Sequence, residues 1–220
     1  MNIRFTKRMQ SIIDMVPPSV TVADIGADHA LVSVNLIISG KAQKVFACDI
    51  NEGPVKTASY NIERFNLSGK VFPVLSDGLE KVWDKAETVI IAGMGGELIL
   101  SILRKSNLNL IKNFVLQPMN HANILRAGLV DLGLKIETES LVSDYGRVYC
   151  IIRAVHGITK YNDEELYVGP CILRQKGELF ERHLNKIIRF EKSKEKDIIN
   201  GKEHGKRAQR LEAILKEDTL

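Results

Sequence analysis

Little in this sequence could crosslink the chain or place it in a membrane. Its three cysteines, Cys48, Cys150 and Cys171, are an odd number without C-x-x-C spacing, which argues against a disulfide scaffold or a zinc ribbon. Its apolar runs, such as Leu31–Ile38, stop well short of the roughly 18 residues that a spanning helix needs. No apolar signal segment follows the N-terminus. We therefore expect a cytoplasmic protein with reduced thiols, no membrane partner and no metal.

The chain also lacks a strong excess of charge. Its 31 Lys and Arg residues oppose 27 Asp and Glu residues, for a net charge of +4. This mild basicity is compatible with a polyanionic partner but does not identify one. A length of 220 residues, 45% of them hydrophobic, is typical of one large globular domain, or of a domain of about 150 residues with an appendage. The sequence leaves the oligomeric state open, and a monomer is compatible with it.

Short apolar segments rich in β-branched residues alternate with helical segments in the first half of the chain. They are residues 20–25, 44–50, 71–75, 88–92 and 113–117. Because they are apolar throughout, they are typical of parallel strands that are covered on both faces. Two further segments, 135–142 and 147–155, flank the turn Ser143-Asp144-Tyr145-Gly146 and predict an antiparallel hairpin. Together they predict an α/β fold with a doubly wound, mostly parallel, seven-stranded sheet.

Helical patterns precede and follow these strands. Residues 5–16 place apolar side chains at helical spacing, which predicts an N-terminal amphipathic helix. Beyond residue 157, Leu173, Phe180 and Ile187 recur every seven residues among mixed charges. This repeat is short and imperfect, so it favours two antiparallel helices over a long coiled coil. We expect a sheet domain over residues 1–157 and a helical hairpin over residues 158–220.

An acidic residue and a glycine turn end the first predicted strand, in the segment Asp24-Ile25-Gly26-Ala27-Asp28-His29. A glycine turn lets a ligand approach the backbone and directs a helix N-terminus toward it. Asp28 occupies the place of the second glycine in the dinucleotide motif G-x-G-x-x-G, where its charge would repel a pyrophosphate. The turn therefore suits a ligand with positive charge and hydroxyl groups. His29 could orient Asp28, line the pocket or be a structural residue.

Carboxylates also follow the next two predicted strands. Asp49 stands 23 residues after Gly26, the interval at which nucleotide-binding α/β proteins place a carboxylate on ribose hydroxyls. Ile50, beside it, belongs to the same predicted site. Asp77 could accept a hydrogen bond from an adenine amine next to Gly78, which we expect to be sterically open. Each residue has a local alternative as a helix cap or turn residue, but their joint order favours a nucleoside-type ligand.

The fourth and fifth predicted strands end in further turns. The segment Ala92-Gly93-Met94-Gly95-Gly96 would form a wall beside the reacting group or, alternatively, serve only close packing. Gln117 and Asn120 carry paired donors and acceptors that suit a base edge, although Asn120 is also a candidate N-cap. His121 is a candidate for a phosphate contact or for capping the next helix.

Three of these segments occur together: D-I-G-A-D-H-A at 24–30, A-G-M-G-G at 92–96 and Q-P-M-N at 117–120. With Lys7-Arg8-Met9 before them and a helical tail after them, the chain resembles the bacterial tRNA (adenine-22 N1)-methyltransferases over essentially its whole length. The resemblance implies S-adenosylmethionine as methyl donor and methylation of adenine N1 in tRNA. It also implies a Rossmann-like class I methyltransferase domain over residues 1–157 and a coiled-coil-like domain over residues 158–220.

With this donor, the strand-end residues take hypothetical roles. Asp49 and Ile50 would hold its ribose, and Asp77 and Gly78 its adenine. The residues expected around its methionine part are Asp24, Gly26, Asp28, His29, Ala92 and Gly93.

The target base would contact a second group of residues. Asp28 is the first candidate, and Asn120 the second, for the catalytic group that stabilises the methylated adenine or receives its proton. Substrate contacts are also expected from Gln117 and His121. The candidate phosphate contacts are Arg4, Lys7, Arg8 and Arg126, with basic residues of the tail as a further possibility.

Two other classes of function stay open. The first is a nicotinamide-dependent oxidoreductase on a similar sheet, which Asp28 disfavours at the pyrophosphate turn. The second is a nucleoside-binding or RNA-binding module without catalysis, which would retain Asp49 and Asp77.

Overall fold

A computed structural model describes residues 5–197 and 199–217. The strands are Ser19–Ile25 (β1), Ala42–Asp49 (β2), Val71–Leu75 (β3), Thr88–Met94 (β4), Asn113–Pro118 (β5), Leu134–Asp144 (β6) and Arg147–His156 (β7). The helices are Lys7–Met15 (α1), Leu31–Ile38 (α2), Glu52–Arg64 (α3), Gly96–Arg104 (α4), Ala122–Asp131 (α5), Asp163–Val168 (α6), Glu178–Lys194 (α7) and Gly201–Glu217 (α8). A short 3₁₀ turn, Ile172–Arg174, precedes α7.

The strands form one seven-stranded sheet in the order β3-β2-β1-β4-β5-β7-β6. The first five strands pair in parallel, and β7 runs antiparallel between β5 and β6. This arrangement confirms the predicted doubly wound, mostly parallel sheet. Each strand begins and ends within two residues of the predicted positions, because the β-branched runs coincide with the hydrogen-bonded segments.

Both faces of the sheet are covered, as the continuous apolar runs predicted. Successive residues of a strand point to opposite faces, so Val89 lies in one buried cluster and Ile90 in the other. Ile12 and Ile13 of α1 join the cluster of Ile90, beside residues of α2 and α3. The predicted N-terminal helix is therefore present, and the Thr6 side chain caps it by accepting a hydrogen bond from the Met9 N–H at 3.2 Å.

The hairpin of β6 and β7 has a two-residue connection. Tyr145 and Gly146 have φ angles of +46° and +75°. Positive φ at both central residues is the requirement of the tight hairpin turn that matches the twist of the flanking strands. The predicted hairpin is thus confirmed, with strands longer than expected.

The tail forms the predicted helical hairpin of α7 and α8. Phe180, Leu184 and Ile188 of α7 and Leu211 of α8 are buried in the same cluster as Val89 of the sheet. Arg182 donates hydrogen bonds to the Gly146 carbonyl and the Ser143 hydroxyl, at 2.9 and 3.4 Å, and so joins α7 to the β6–β7 turn. The division at residue 157 into two domains stays a prediction. In the described ranges, no helix is both long enough and apolar enough to cross a bilayer.

Arg126 corrects one of the predicted phosphate contacts. It lies on the inner face of α5 with 0% of its surface exposed, and its Nε donates to Glu139 Oε1 at 2.8 Å. Its terminal nitrogens donate to the carbonyls of Leu166 and Val168 at 2.7 and 3.2 Å, at the end of α6. Glu139 Oε2 in turn accepts from the Cys171 N–H at 3.0 Å. Arg126 therefore ties the tail to β6 and cannot reach a phosphate.

We expect Arg126→Met to lower the free energy of unfolding by about 3–5 kcal/mol, because Glu139 would stay buried without its charge partner. The matched control is Arg147→Met, an exposed arginine of the hairpin, with an expected change within about 0.5 kcal/mol. Urea denaturation followed by circular dichroism measures both. Equal stability of the two variants would contradict this role of Arg126.

Candidate functional site

Parallel pairing brings the carboxyl ends of β3, β2, β1 and β4 to one edge of the sheet. Chain order reverses between β1 and β4, so this edge has the switch point at which open α/β sheets bind ligands. Asp24 lies one residue before the end of β1, Asp49 ends β2, and Asp77 follows β3 by two residues. Three neighbouring strands therefore each bring a carboxylate to this edge, as the sequence predicted.

The first glycine turn is fixed to the adjacent strand. The N–H groups of Gly26 and Ala27 both donate to the Cys48 carbonyl, at 2.8 and 3.0 Å. Gly26 has a φ of +74°, and a Cβ built there would lie 2.3 Å from Met94 Cε. The two glycine turns are thus in contact through Met94, a contact that the sequence did not predict.

Asp24 lies beneath this turn and is only 5% exposed. The Ser33 hydroxyl of α2 donates to Asp24 Oδ2 at 2.6 Å. Burial raises the pKa of Asp24 to about 6, and the hydrogen bond from Ser33 offsets part of that shift. The carboxylate therefore joins β1 to α2, and its contact with a cofactor stays a prediction.

Asp28 and His29 occupy the surface of the turn. The Asp28 side chain is 64% exposed, and its Oδ2 lies 3.3 Å from His29 Nε2. His29 Nδ1 is buried and has no hydrogen-bond partner among the described residues. Asp28 and Ala30 have φ angles of +25° and +53°, a left-handed backbone that non-glycine residues rarely adopt. The pairing of Asp28 with His29 agrees with the predicted orienting role of the histidine.

Among the described residues, the second oxygen of Asp49 has no partner. Its Oδ1 accepts the Asn51 N–H at 2.9 Å in a local turn, and Asn51, not Asp49, is the N-cap of α3. The neighbouring Ile50 side chain is 61% exposed at the same edge. Its exposed apolar surface beside Asp49 suits the flat face of a base.

Asp77 is placed as predicted, but Gly78 is not open. The Asp77 carboxylate is exposed, with Oδ2 at 3.8 Å from Lys105 Nζ. A Cβ at Gly78 would lie 2.8 Å from Cγ2 of Ile102 on α4, and its φ is +55°. The expectation of a sterically open glycine is therefore wrong, since Gly78 is required by the turn and by packing against α4.

The glycines of the second turn differ in their surroundings, and the wall beside a reacting group stays a prediction. A Cβ at Gly96 would meet the His121 carbonyl at 2.4 Å, so that glycine serves close packing. A Cβ at Gly95 would lie 3.0 Å from Asn120 Oδ1. At Gly93, next to the half-buried Ala92, the nearest atom to a Cβ is Arg8 Nη1 at 3.7 Å. Gly93 therefore borders open space beside Arg8.

Gln117 does not present its amide to a base, which corrects that prediction. The side chain is 0% exposed, its Oε1 accepts from Arg8 Nη1 at 2.9 Å, and its Nε2 donates to the Pro118 carbonyl at 2.9 Å. Asn120 and His121 are exposed. His121 is the residue that precedes α5 as its cap, so Asn120 is not the N-cap. His121 Nδ1 lies 3.5 Å from Glu97 Oε1.

Of the phosphate contacts predicted in the N-terminal segment, Lys7 and Arg8 differ in where their side chains lie. Lys7 is exposed, whereas Arg8 is half-buried and turns toward the ends of β4 and β5. Arg4 lies outside the described residues. Lys7 thus keeps the orientation expected of a phosphate contact.

A cleft of about 980 Å³ lies between the β5–α5 connection, the β6–β7 hairpin and α7. Asn120 and His121 line it, and so does the Tyr149 ring. Its basic lining residues are Arg147, Arg182, Lys186 and Arg189. Glu191 also lines it but is fully buried and bonded to Arg207 Nη1 at 2.7 Å. The sequence did not predict this basic cleft, because its residues come from three distant segments. Among the described residues, no cluster of three side chains is arranged to hold a metal ion.

The matches to known proteins agree with this geometry. A family model described as "Methyltransferase domain" matches residues 5–152. The chain therefore belongs to the methyltransferase-domain family, with the fold of class I S-adenosylmethionine-dependent methyltransferases. Membership of this family argues against the alternative function, a nicotinamide-dependent oxidoreductase.

Within that class, the chain is TrmK-like. It is 27% identical to the tRNA (adenine(22)-N(1))-methyltransferase of Bacillus subtilis strain 168 over 221 residues, which cover 96% of this chain and 93% of the relative. Streptococcus pneumoniae Sp1610 in complex with S-adenosyl-L-methionine superposes with a TM-score of 0.87 at 27% identity, over 96% and 100% of the chains. M. capricolum TrmK in complex with S-adenosyl-homocysteine has a TM-score of 0.85 at 26% identity, over 97% and 99%. These similarities confirm the family resemblance that the sequence motifs predicted.

The buried Asp24 predicts a pH-dependent stability. Its folded pKa of about 6 exceeds the ordinary value of 3.8, so its stabilising contribution is complete below about pH 4 and is lost as pH rises through 6. In Asp24→Asn the titration is absent. The free energy of unfolding of the variant, relative to that of the wild type, should therefore rise by up to about 3 kcal/mol from pH 4 to pH 7.

Chemical denaturation at intervals across this range measures the difference. Exposed Asp84→Asn serves as the control and should show a constant difference from the wild type. A constant difference for Asp24→Asn as well would contradict the burial of a titrating Asp24.

Proposed function

We propose that this chain methylates N1 of an adenine in tRNA, at position 22, with S-adenosylmethionine as donor. The observation that carries the proposal is the row of carboxylates at the ends of β1, β2 and β3, in a chain similar over its full length to the Bacillus subtilis tRNA (adenine(22)-N(1))-methyltransferase.

The strand-end residues fit the donor. Asp49 keeps one carboxylate oxygen free for ribose hydroxyls, and Asp77 stands at the neighbouring strand end for the adenine amine. The orphaned Nδ1 of His29 is a buried polar atom of the kind that a ligand satisfies. Asp24 and Asp28, on either side of Gly26, would supply negative charge near the sulfonium and amino groups of the methionine part. When bound, S-adenosylmethionine supplies an electrophilic methyl group.

The chain's task in this reaction is alignment more than proton abstraction. Adenine N1 has an in-plane lone pair, so it can attack a methyl group without first losing a proton. Rate acceleration then comes from holding the base in line and from electrostatic stabilisation of the product. Asn120, exposed beside the second glycine turn, has a carboxamide that suits the base edge.

Methylation at N1 makes the adenine cationic, and a nearby carboxylate stabilises that charge. Asp28 is the first candidate because it is exposed at the turn and its carboxylate is oriented by His29 at 3.3 Å. It would favour the cation or receive the N6 proton. Asn120 is the second candidate, since its amide oxygen accepts a hydrogen bond but does not ionise.

The basic cleft supports RNA as the substrate. An adenine within folded tRNA must be unstacked before its N1 is accessible, which costs a few kcal/mol. Contacts with phosphates elsewhere must offset this cost. The arginines and lysine that line the cleft supply cations beside Asn120 and His121, and exposed Lys7 is a further cation on α1.

The proposed activity is tested by incubating the protein with unmodified tRNA and labelled donor, and mapping the product by nuclease digestion and mass spectrometry. We expect 1-methyladenine at position 22, and no incorporation into a transcript with guanine there. Donor binding without methyl transfer would favour the non-catalytic module instead.

Asp28→Asn should lower the rate of methyl transfer at saturating donor by about 100-fold, because the charge that stabilises the cationic product is lost. Single-turnover assays measure the rate, and calorimetry with S-adenosyl-homocysteine checks that the donor site is intact. The control is Asp84→Asn, which removes an exposed carboxylate from the connection between β3 and β4. A variant that binds donor normally and keeps near-wild-type turnover would exclude Asp28 as the catalytic group.

A further inference from the structure

A buried asparagine of α3 is bonded to the turn that carries Asp28. Asn61 lies in the last turn of α3, and only 5% of its surface is exposed. Its Nδ2 donates to the His29 carbonyl at 2.9 Å, across 32 positions of sequence. Among the described residues, no other side chain from outside the turn hydrogen-bonds to residues 28–30. Asn61 therefore links α3 to the middle of this turn.

The turn has a backbone conformation that needs such support. Asp28 and Ala30 have φ angles of +25° and +53°. Left-handed residues other than glycine persist only where neighbouring contacts determine their conformation. The start of the turn is fixed to β2 by two backbone N–H groups, and the buried Ala30 packs in the same cluster as Ala58 of α3. The hydrogen bond from Asn61 acts between these two anchors.

The position of the Asp28 carboxylate depends on this backbone. The side chain is 64% exposed, and its one described ion pair is with the neighbouring His29, at 3.3 Å. No packing from another element holds it, so the conformation of the turn decides where the carboxylate lies. The carbonyl bonded to Asn61 belongs to the peptide that follows His29. A rotation of that peptide would move Asp28 and His29 together.

From these contacts we infer that Asn61 is a positioning residue for Asp28. It holds the turn so that the Asp28 carboxylate lies where the methylated, cationic adenine forms. The inference rests on the proposed function, in which Asp28 stabilises that cation. Asn61 is buried and acts through Asp28. Asparagine is a weak helix former, and its buried amide is stabilising only where it is hydrogen-bonded, which agrees with a role in the turn more than in α3.

Hydrogen exchange tests whether Asn61 holds the turn, and this measurement does not require activity. Asn61→Leu keeps a similar shape and removes the donor. The amides of residues 28–30 should exchange about 10-fold faster in this variant than in the wild type, because the turn opens more often. The control is Ile62→Val, which removes one methyl group from the next buried residue of α3. It should leave exchange at the turn within about twofold.

A double-mutant cycle tests whether Asn61 acts through Asp28. Asn61→Leu should lower the rate of methyl transfer at saturating donor about 10-fold, because the carboxylate is displaced. In the background of Asp28→Asn it should change the rate by no more than about twofold, since the charge it positions is already absent. Asn61→Gln, which keeps the amide on a longer side chain, should recover part of the rate. Ile62→Val should leave the rate within about twofold in both backgrounds.

Thermal unfolding midpoints verify that each variant is folded. If Asn61→Leu is not folded, Asn61→Ala takes its place, because it also lacks the donor and favours a helix.

Several results would overturn the inference. Losses that multiply in the double variant would mean that Asn61 does not act through Asp28. Unchanged exchange at the turn would mean that Asn61 does not hold it. Equal effects of Asn61→Leu and Ile62→Val would reduce the role of Asn61 to the packing of α3. If the wild type transfers no methyl group to tRNA, the proposed function itself fails, and hydrogen exchange still decides whether Asn61 holds the turn.

Discussion

The parallel register of β1 with β2 and β4 is the constraint on which the candidate site depends. Ile25 pairs with Cys48 on one side and with Ile91 on the other, so the turns after these strands begin at the same level. The Cys48 carbonyl then fixes the first glycine turn through two N–H groups. With the strand ends aligned, carboxylates that are far apart in sequence lie at one edge of the sheet. A shift of one residue in either pairing would turn these side chains to the other face of the sheet.

A second constraint acts on the side of the molecule that holds the basic cleft. The buried pair of Arg126 and Glu139 joins α5, β6 and the end of α6, and α7 packs its apolar face onto the sheet cluster. These contacts determine where α7 lies relative to the β6–β7 hairpin, and hence the width of the basic cleft. The sheet edge with the strand-end carboxylates therefore depends on backbone pairing within the sheet. The cleft depends on side-chain contacts between sheet and tail.

The elements could be predicted because their signals are local. Continuous β-branched runs and glycine turns each lie within one short segment, and all of them reappear in the structure; of the seven-residue apolar repeat, Phe180 and Ile187 lie on α7 and Leu173 lies in the 3₁₀ turn before it. The roles of Gln117, Gly78 and Arg126 could not be predicted in the same way. Gln117 and Arg126 are polar residues in segments that also carry candidate site residues, and only distant partners decide that both are buried. Gly78 is closed by Ile102 from another helix.

The sequence by itself determined the strands, the mostly parallel class of the sheet, the carboxylates at the strand ends and the family, because strand periodicity and turn residues act over a few positions. Only the tertiary structure decided which cations face inward. Arg8, Arg126 and Lys7 all have long basic side chains. Arg8 nevertheless lies at the strand ends, Arg126 is fully buried and Lys7 is exposed. The direction of a long side chain depends on which distant segments pack around it, and those contacts exist only once the chain has folded.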